Sequence, residues 1–194
     1  MIASAPRALI NWRLISDATE FYADRQFQLI ETPWRVAVSV ALETMPPFGR
    51  AFTCSSESSG FQVLVGSAEQ GFLQISDSLV PGKCYQSVSP CFRDERELSD
   101  IKFRDFVKVE LISVAPSDPE SEARRLASVA RSFLKSVGVD VKLQETDIGW
   151  DLTLNGIEVG SYGFRTASLP AGKFTWAYGT GCAEPRLSQA IAMI

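Results

Sequence analysis

Apolar residues recur along the chain with two different periods. Ala123, Leu126, Ala127, Ala130, Phe133, Leu134 and Val137 fall at i, i+3, i+4 and i+7, the stripe of an amphipathic helix. Ser117 or Asp118 opens that helix, Pro119 suits its first helical position, and Gly138 ends it in a left-handed cap. Asp17 and Glu20 form a capping-box pair and predict a helix through Phe21 and Tyr22 to Arg25. A weaker helix is expected over 67–79, and another after Pro185. Elsewhere the period is two. Val36, Val38, Val40 and Leu42 alternate with small or polar residues and predict a half-buried strand. Further strands are expected over 61–65, 83–92, 106–112, 139–144, 150–154, 157–164 and 173–178. Asn155-Gly156 joins two of them as a tight hairpin, because both residues accept positive φ. Many hairpin-linked strands with few helices predict an α+β fold, an antiparallel sheet carrying helices on one face.

Composition adds bounds. At 194 residues, 45% apolar and 22% charged, the chain has an ordinary globular balance. The candidate linkers at 43–49, 55–60 and 114–118 are too short to separate domains, so a single domain over 1–194 is expected. No run approaches the roughly 20 apolar residues of a spanning helix, so no membrane partner is expected. The first twelve residues lack the layout of a signal peptide, and a cytoplasmic location is the expectation. The net charge of −4 gives no overall basic surplus for gripping nucleic acid by its phosphates. Histidine is absent, which removes imidazole bases, Ser–His and Cys–His pairs and most catalytic zinc sites. Acid–base or electrostatic work therefore falls to carboxylates, Lys, Arg, Tyr or the backbone. The four cysteines (Cys54, Cys84, Cys91, Cys182) show no CxxC spacing and read as buried reduced thiols; a zinc site from three distant Cys and a Glu is the alternative.

Four segments carry candidate chemistry. Phe92-Arg93-Asp94-Glu95 ends one strand, and the chain returns through Phe106 to Glu110. That hairpin offers a guanidinium for phosphate, a carboxylate, and an aromatic face for a base; a salt-bridged surface hairpin is the plain alternative. Asp151 and Glu158 lie on the two arms of the Asn-Gly hairpin. They form an oxygen-only pair suited to Mg²⁺, or two solvated strand-end acids. Gly179-Thr180-Gly181-Cys182-Ala183-Glu184-Pro185-Arg186 runs from a strand into the last helix, where glycines admit close backbone approach and a helix start favours anions. Ser67-Ala68-Glu69-Gln70 places Glu69 either as a cleft carboxylate able to hold an ammonium group or as a helix N-terminal acid.

Taken together and in this order, the segments resemble the catalytic core of class II aminoacyl-tRNA synthetases over residues 16–194. Phe27 to Pro33 resembles motif 1, Cys84 through Arg93 and Glu95 to Phe106 resembles motif 2, and Gly179 to Arg186 resembles motif 3. Asp151 through Glu158 to Arg165 is similar to the aspartyl and asparaginyl branch. Leu64 to Gln70 and Phe106-Val107-Lys108-Val109-Glu110 are similar to seryl-type enzymes.

The resemblance implies a mainly antiparallel sheet of about six or seven strands flanked by helices, and a homodimer through the motif 1 region. It implies ATP-dependent activation of an amino acid to an aminoacyl-adenylate, with ATP and Mg²⁺ as cofactors. By the same resemblance Arg93 and Arg186 are catalytic and hold the α- and γ-phosphates. Phe106 stacks on the adenine against Arg186, Glu95 sits near the adenine amino group, and Gly181 belongs to the ATP site. Asp151 and Glu158 hold Mg²⁺, with Glu110 a helper. Glu69 binds the substrate ammonium, and Arg165 matches a contact to an acidic side chain. The chain departs from the pattern at Ala183, where motif 3 has glycine, at Pro185, where it has an acid, and at Lys102 in the motif 2 loop. The length leaves no room for an anticodon-binding domain, so the expectation is a stand-alone ligase. Contact with tRNA would be absent or weak, and the acyl group would pass to ammonia, a carrier, a protein or another small acceptor. The alternative is a non-catalytic paralogue acting as a binding or regulatory subunit.

Overall fold

The computed structural model describes residues 9–45, 49–56, 60–95, 97–169 and 172–193. Most of the amino-terminal segment read above for a leader, and parts of the linkers 43–49 and 55–60, lie outside the described residues.

The elements follow in chain order as α1 (Trp12–Ala23), β1 (Phe27–Leu29), β2 (Arg35–Ala37), α2 (Val38–Leu42), β3 (Thr53–Ser56), β4 (Gly60–Leu64) and α3 (Ala68–Gln74). Then come β5 (Cys84–Phe92), β6 (Asp105–Val114), α4 (Pro119–Ser136), β7 (Lys142–Thr146), β8 (Gly149–Leu154), β9 (Ile157–Leu169), β10 (Gly172–Glu184) and α5 (Arg186–Ala192). Seven strands form one sheet in the order β1-β5-β6-β10-β9-β8-β7. Its pairs are antiparallel except for β1 with β5. A second, three-stranded antiparallel sheet has the order β2-β4-β3.

Each face of the large sheet has its own core. On one face α1, α4 and α5 pack over Val109, Leu111, Leu152, Tyr162 and Ala177 through Tyr22, Leu126, Phe133 and Leu187. The other face carries Tyr85, Ile112, Val114, Trp176 and Tyr178, and these meet Val36, Val63, Phe72 and Leu73 of the small sheet and α3. Helices therefore flank the sheet on both faces, not on one. The long helix forms as its pattern predicts. Asp118 caps it by accepting from Ser121 N at 3.1 Å, Pro119 opens it, and Gly138 follows at φ +82°. The Asn155-Gly156 turn has φ values of +50° and +82°, the double positive that joins β8 to β9.

Three local expectations are corrected. The first helix begins before Asp17: Asn11 caps it, accepting from Leu14 N at 3.1 Å, and Asp17 instead pairs with Arg13 at 2.8 Å. The alternating run from Val36 to Leu42 is a strand only as far as Ala37 and then turns helical. There the side-chain amides of α3 take the place of a strand partner. Gln74 Oε1 accepts from Ala37 N at 2.9 Å, and Gln70 Nε2 donates to Ala41 O at 3.2 Å. The helix expected over 67–79 stops at Gln74 and continues only as a short 3₁₀ turn at Ser76–Ser78. The small-sheet strand β3 was not expected, because Thr-Cys-Ser-Ser shows no apolar alternation.

Among the described residues no helix is long and apolar enough to cross a membrane. Cys91 and Cys182 are buried, while Cys54 and Cys84 are half-buried. No three His, Cys, Asp or Glu side chains converge as a metal cage among those residues.

Candidate functional site

A cleft of about 600 Å³ is walled by β5, β6, β9 and β10 of the large sheet, by the start of α3 and by the connection before β3. Its walls follow from strand alternation. In β6, Val109 and Leu111 enter the helical core, so Phe106, Lys108 and Glu110 point the other way. Phe106 and Lys108 line the cleft. Arg93, just past β5, donates from Nε to Gly66 O at 3.2 Å, and its guanidinium carbon lies 5.0 Å from the centre of the Phe106 ring. The hairpin that the sequence marks thus brings its cation and its ring to the same wall. Glu95, on that wall too, is held by Lys102 Nζ at 3.0 Å, and its carbonyl accepts from Arg104 Nε at 3.2 Å. Arg50 of the β2–β3 connection pairs with the neighbouring Asp94.

Arg186 opens α5 and lines the same cleft. Its Nε donates to Ile101 O at 3.0 Å, and NH1 lies 3.5 Å from Glu158 Oε1. Glu158 is half exposed at the cleft wall. A register irregularity sets Thr153 opposite Glu158 and Asp151 opposite Ser161. Asp151, two residues before Thr153, therefore shares a sheet face with Glu158. Asp151 is not among the residues that line the cleft. Neither is Gly181. A Cβ on Gly181 would lie 2.8 Å from the Tyr22 ring, on the helical side of the sheet, and its carbonyl accepts from the Tyr22 hydroxyl at 2.8 Å.

Two buried acids, Glu69 of the cleft lining and Glu110 outside it, have partners of their own. Glu69, in the first turn of α3, accepts from Arg165 NH1 at 2.7 Å through each carboxylate oxygen, and from Trp176 Nε1 at 2.8 Å. The Arg165 guanidinium also lies over the Tyr178 ring, 4.4 Å from its centre. Burial pushes the Glu69 carboxyl above its ordinary value in spite of Arg165. Burial pulls Arg165 down, but Glu69 and Tyr178 hold it above its ordinary value. Glu110 is 1% exposed and pairs with Lys108 Nζ at 2.6 Å, with the Ser67 hydroxyl also donating to it. Beneath them the Cys91 thiol is pushed up by burial to about 11, which keeps it protonated and unsuited to nucleophilic work at neutral pH.

The cleft thus gathers Arg93, Glu95, Phe106, Glu158, Arg165, Glu69 and Arg186 from five separated stretches of chain. Sequence reasoning gave Lys108 no role, though its parity with Phe106 in β6 was available. Trp176 carried no signal beyond an apolar strand position.

No protein-family description matches the sequence, and no curated protein does. Among solved structures the chain is similar to the cytoplasmic serine-tRNA ligase from Naegleria fowleri in complex with AMP, with a TM-score of 0.75 and 18% identity. That match covers 93% of this chain and 47% of the other. It is also similar to the seryl-tRNA synthetase from Pyrococcus horikoshii complexed with ATP, with a TM-score of 0.76 and 16% identity, covering 93% of this chain and 50% of that one. The chain spans about half the length of these two neighbours. Both likenesses extend over 93% of this chain: it has the class II aminoacyl-tRNA synthetase catalytic-core fold.

Proposed function

We propose that the chain is an AMP-forming amino-acid ligase that activates an amino acid with ATP and passes the acyl group to an acceptor. One observation carries this reading. Arg93, Phe106 and Arg186, distant in sequence, line one cleft in a fold whose solved neighbours hold AMP and ATP. In the proposed reaction a carboxylate oxygen of the amino acid attacks the α-phosphorus in line. The new O–P bond forms as the bond to the pyrophosphate oxygen breaks, and pyrophosphate leaves. No proton need move, so a site without histidine is sufficient. Arg93 neutralises charge at the α-phosphate, Arg186 draws the γ-phosphate back toward the base, and Phe106 offers its face to the adenine. Glu95, fixed by Lys102, accepts from the adenine amino group.

Asp151 and Glu158 present only oxygen donors on one sheet face, which fits an ion that takes its remaining ligands from water and phosphate. They would hold Mg²⁺, which when bound offsets phosphate charge. Trp12 of α1 and Leu29 of β1, 62% and 55% exposed, support a homodimer through the motif 1 region.

Amino-acid-dependent exchange of pyrophosphate into ATP, run over the full set of protein amino acids, tests the reading. Exchange with one or a few amino acids is expected. The non-catalytic reading is favoured by one feature: Arg50, Lys102, Lys108, Arg165 and Arg186 each already face a carboxylate in the cleft. It requires that folded protein show neither exchange nor ATP binding.

A further inference from the structure

The cleft lining holds a cation that its own fold has neutralised. Among the described residues Arg165 is the cationic side chain that pairs with Glu69. Arg165 donates to both carboxylate oxygens through NH1 at 2.7 Å, and Trp176 Nε1 also donates to Oε1 at 2.8 Å. Glu69 is 5% exposed, so its charge is committed to this pair and not to water. Arg165 itself remains about one-third open, its side chain 32% exposed, with the guanidinium seated on the Tyr178 ring. Its Nε and second terminal nitrogen make no hydrogen bond or ion pair among the described residues. The group therefore offers hydrogen-bond donors to the cleft, but the pair's formal charges sum to zero.

We propose that the Glu69–Arg165–Trp176 cluster selects an amino acid with a neutral, hydrogen-bond-accepting side chain, a carboxamide or a hydroxyl, and rejects acidic ones. This rests on the amino-acid-activating reading of the cleft. A carboxamide or hydroxyl oxygen accepts from the free Arg165 nitrogens and adds no charge. A carboxylate in the same place would share one guanidinium with buried Glu69, and two like charges at one site disfavour each other. An aliphatic side chain would leave the free donors unpaired away from water, which a site built to hydrogen-bond does not tolerate. An arginine lacking Glu69 would draw the opposite conclusion, an acidic substrate; the bidentate carboxylate on NH1 reverses it.

The test uses non-hydrolysable aminoacyl-sulfamoyl adenosines and calorimetric affinities. The asparaginyl/aspartyl and glutaminyl/glutamyl pairs have nearly the same shape within each pair, so each ratio reads the exchange of a charged carboxylate for a neutral amide. Wild-type protein should bind the amide of at least one pair, or the seryl compound, about tenfold or more tighter than the acids. Glu69→Gln should move the amide-to-acid ratio toward the acid by at least about tenfold. Should Glu69→Gln fail to fold, Arg165→Met serves: it should lose the amide preference while its affinity for the leucyl compound stays level or rises. An acid bound as tightly as its amide by wild type, or the leucyl compound bound best, overturns the selection while leaving adenylate binding in place. If no compound in the set binds folded protein, the ligase reading fails and the selection falls with it.

Discussion

Arg93 is the residue whose loss should cost most in function and least in fold. Its guanidinium makes one backbone contact and lies over one ring, and the position has no core partner to lose. Arg93→Ala should lower pyrophosphate exchange by roughly a hundredfold or more while the melting temperature stays close to wild type. Gly181 is the reverse case. Its missing Cβ leaves space for Tyr22, whose hydroxyl donates to the Gly181 carbonyl. Gly181→Ala should cost about 1–3 kcal/mol of stability in urea titrations, because the ring cannot retreat from a filled core. At this scale the sequence was legible where spacing along one strand decides which face a side chain takes, as for Phe106. It was not legible for Glu69 and Arg165, nearly a hundred positions apart, because nothing local says that a helix-start acid and a strand arginine will neutralise each other.

Elements that carry their own capping and periodicity could be read directly. The long helix α4 has its cap, its proline, its apolar stripe and its glycine within one segment. Leu126 on its buried stripe is fully enclosed, so Leu126→Ala should lower stability by about 2–5 kcal/mol in denaturant titrations. The run after Ala37 could not be read that way, since its helical turn depends on amides supplied by α3. The junction of β10 and α5 makes a pH prediction. Glu184 accepts from Asn11 N at 3.2 Å, Ser188 N at 3.0 Å and Ser188 Oγ at 2.7 Å, but burial outweighs these donors and raises its carboxyl. Between the ordinary carboxylate value and this raised one the native state holds a proton that the unfolded chain has released. Its contribution to stability therefore falls as pH rises through that window and levels off above it. Urea titrations at several pH values should show the stability of wild type relative to Glu184→Gln greatest on the acid side of the window and declining toward neutrality.

For the whole molecule, the α+β class and the mainly antiparallel sheet were legible from hairpins and strand periods. The second sheet and the two-sided helical cover were not. Both depend on where the short strands β2 to β4 and the helix α3 pack against the large sheet, which is decided by long-range contacts. The proposed homodimer belongs to this scale as well. Sedimentation velocity should give a dimer for wild type and a monomer for the double change Trp12→Glu with Leu29→Glu; a wild-type monomer would remove the dimer from the proposal.

The strand order has a consequence for how the chain can be made. β10 is the last strand in sequence but sits at the centre of the large sheet, between β6 and β9. A ribosome that has delivered everything up to residue 169 has supplied two half-sheets with open facing edges and no wall joining them. A premature stop just before Gly172 would then remove the keystone rather than a fringe. The released fragment would display two unpaired, largely apolar strand borders, a species for chaperones and proteases rather than a merely weakened fold.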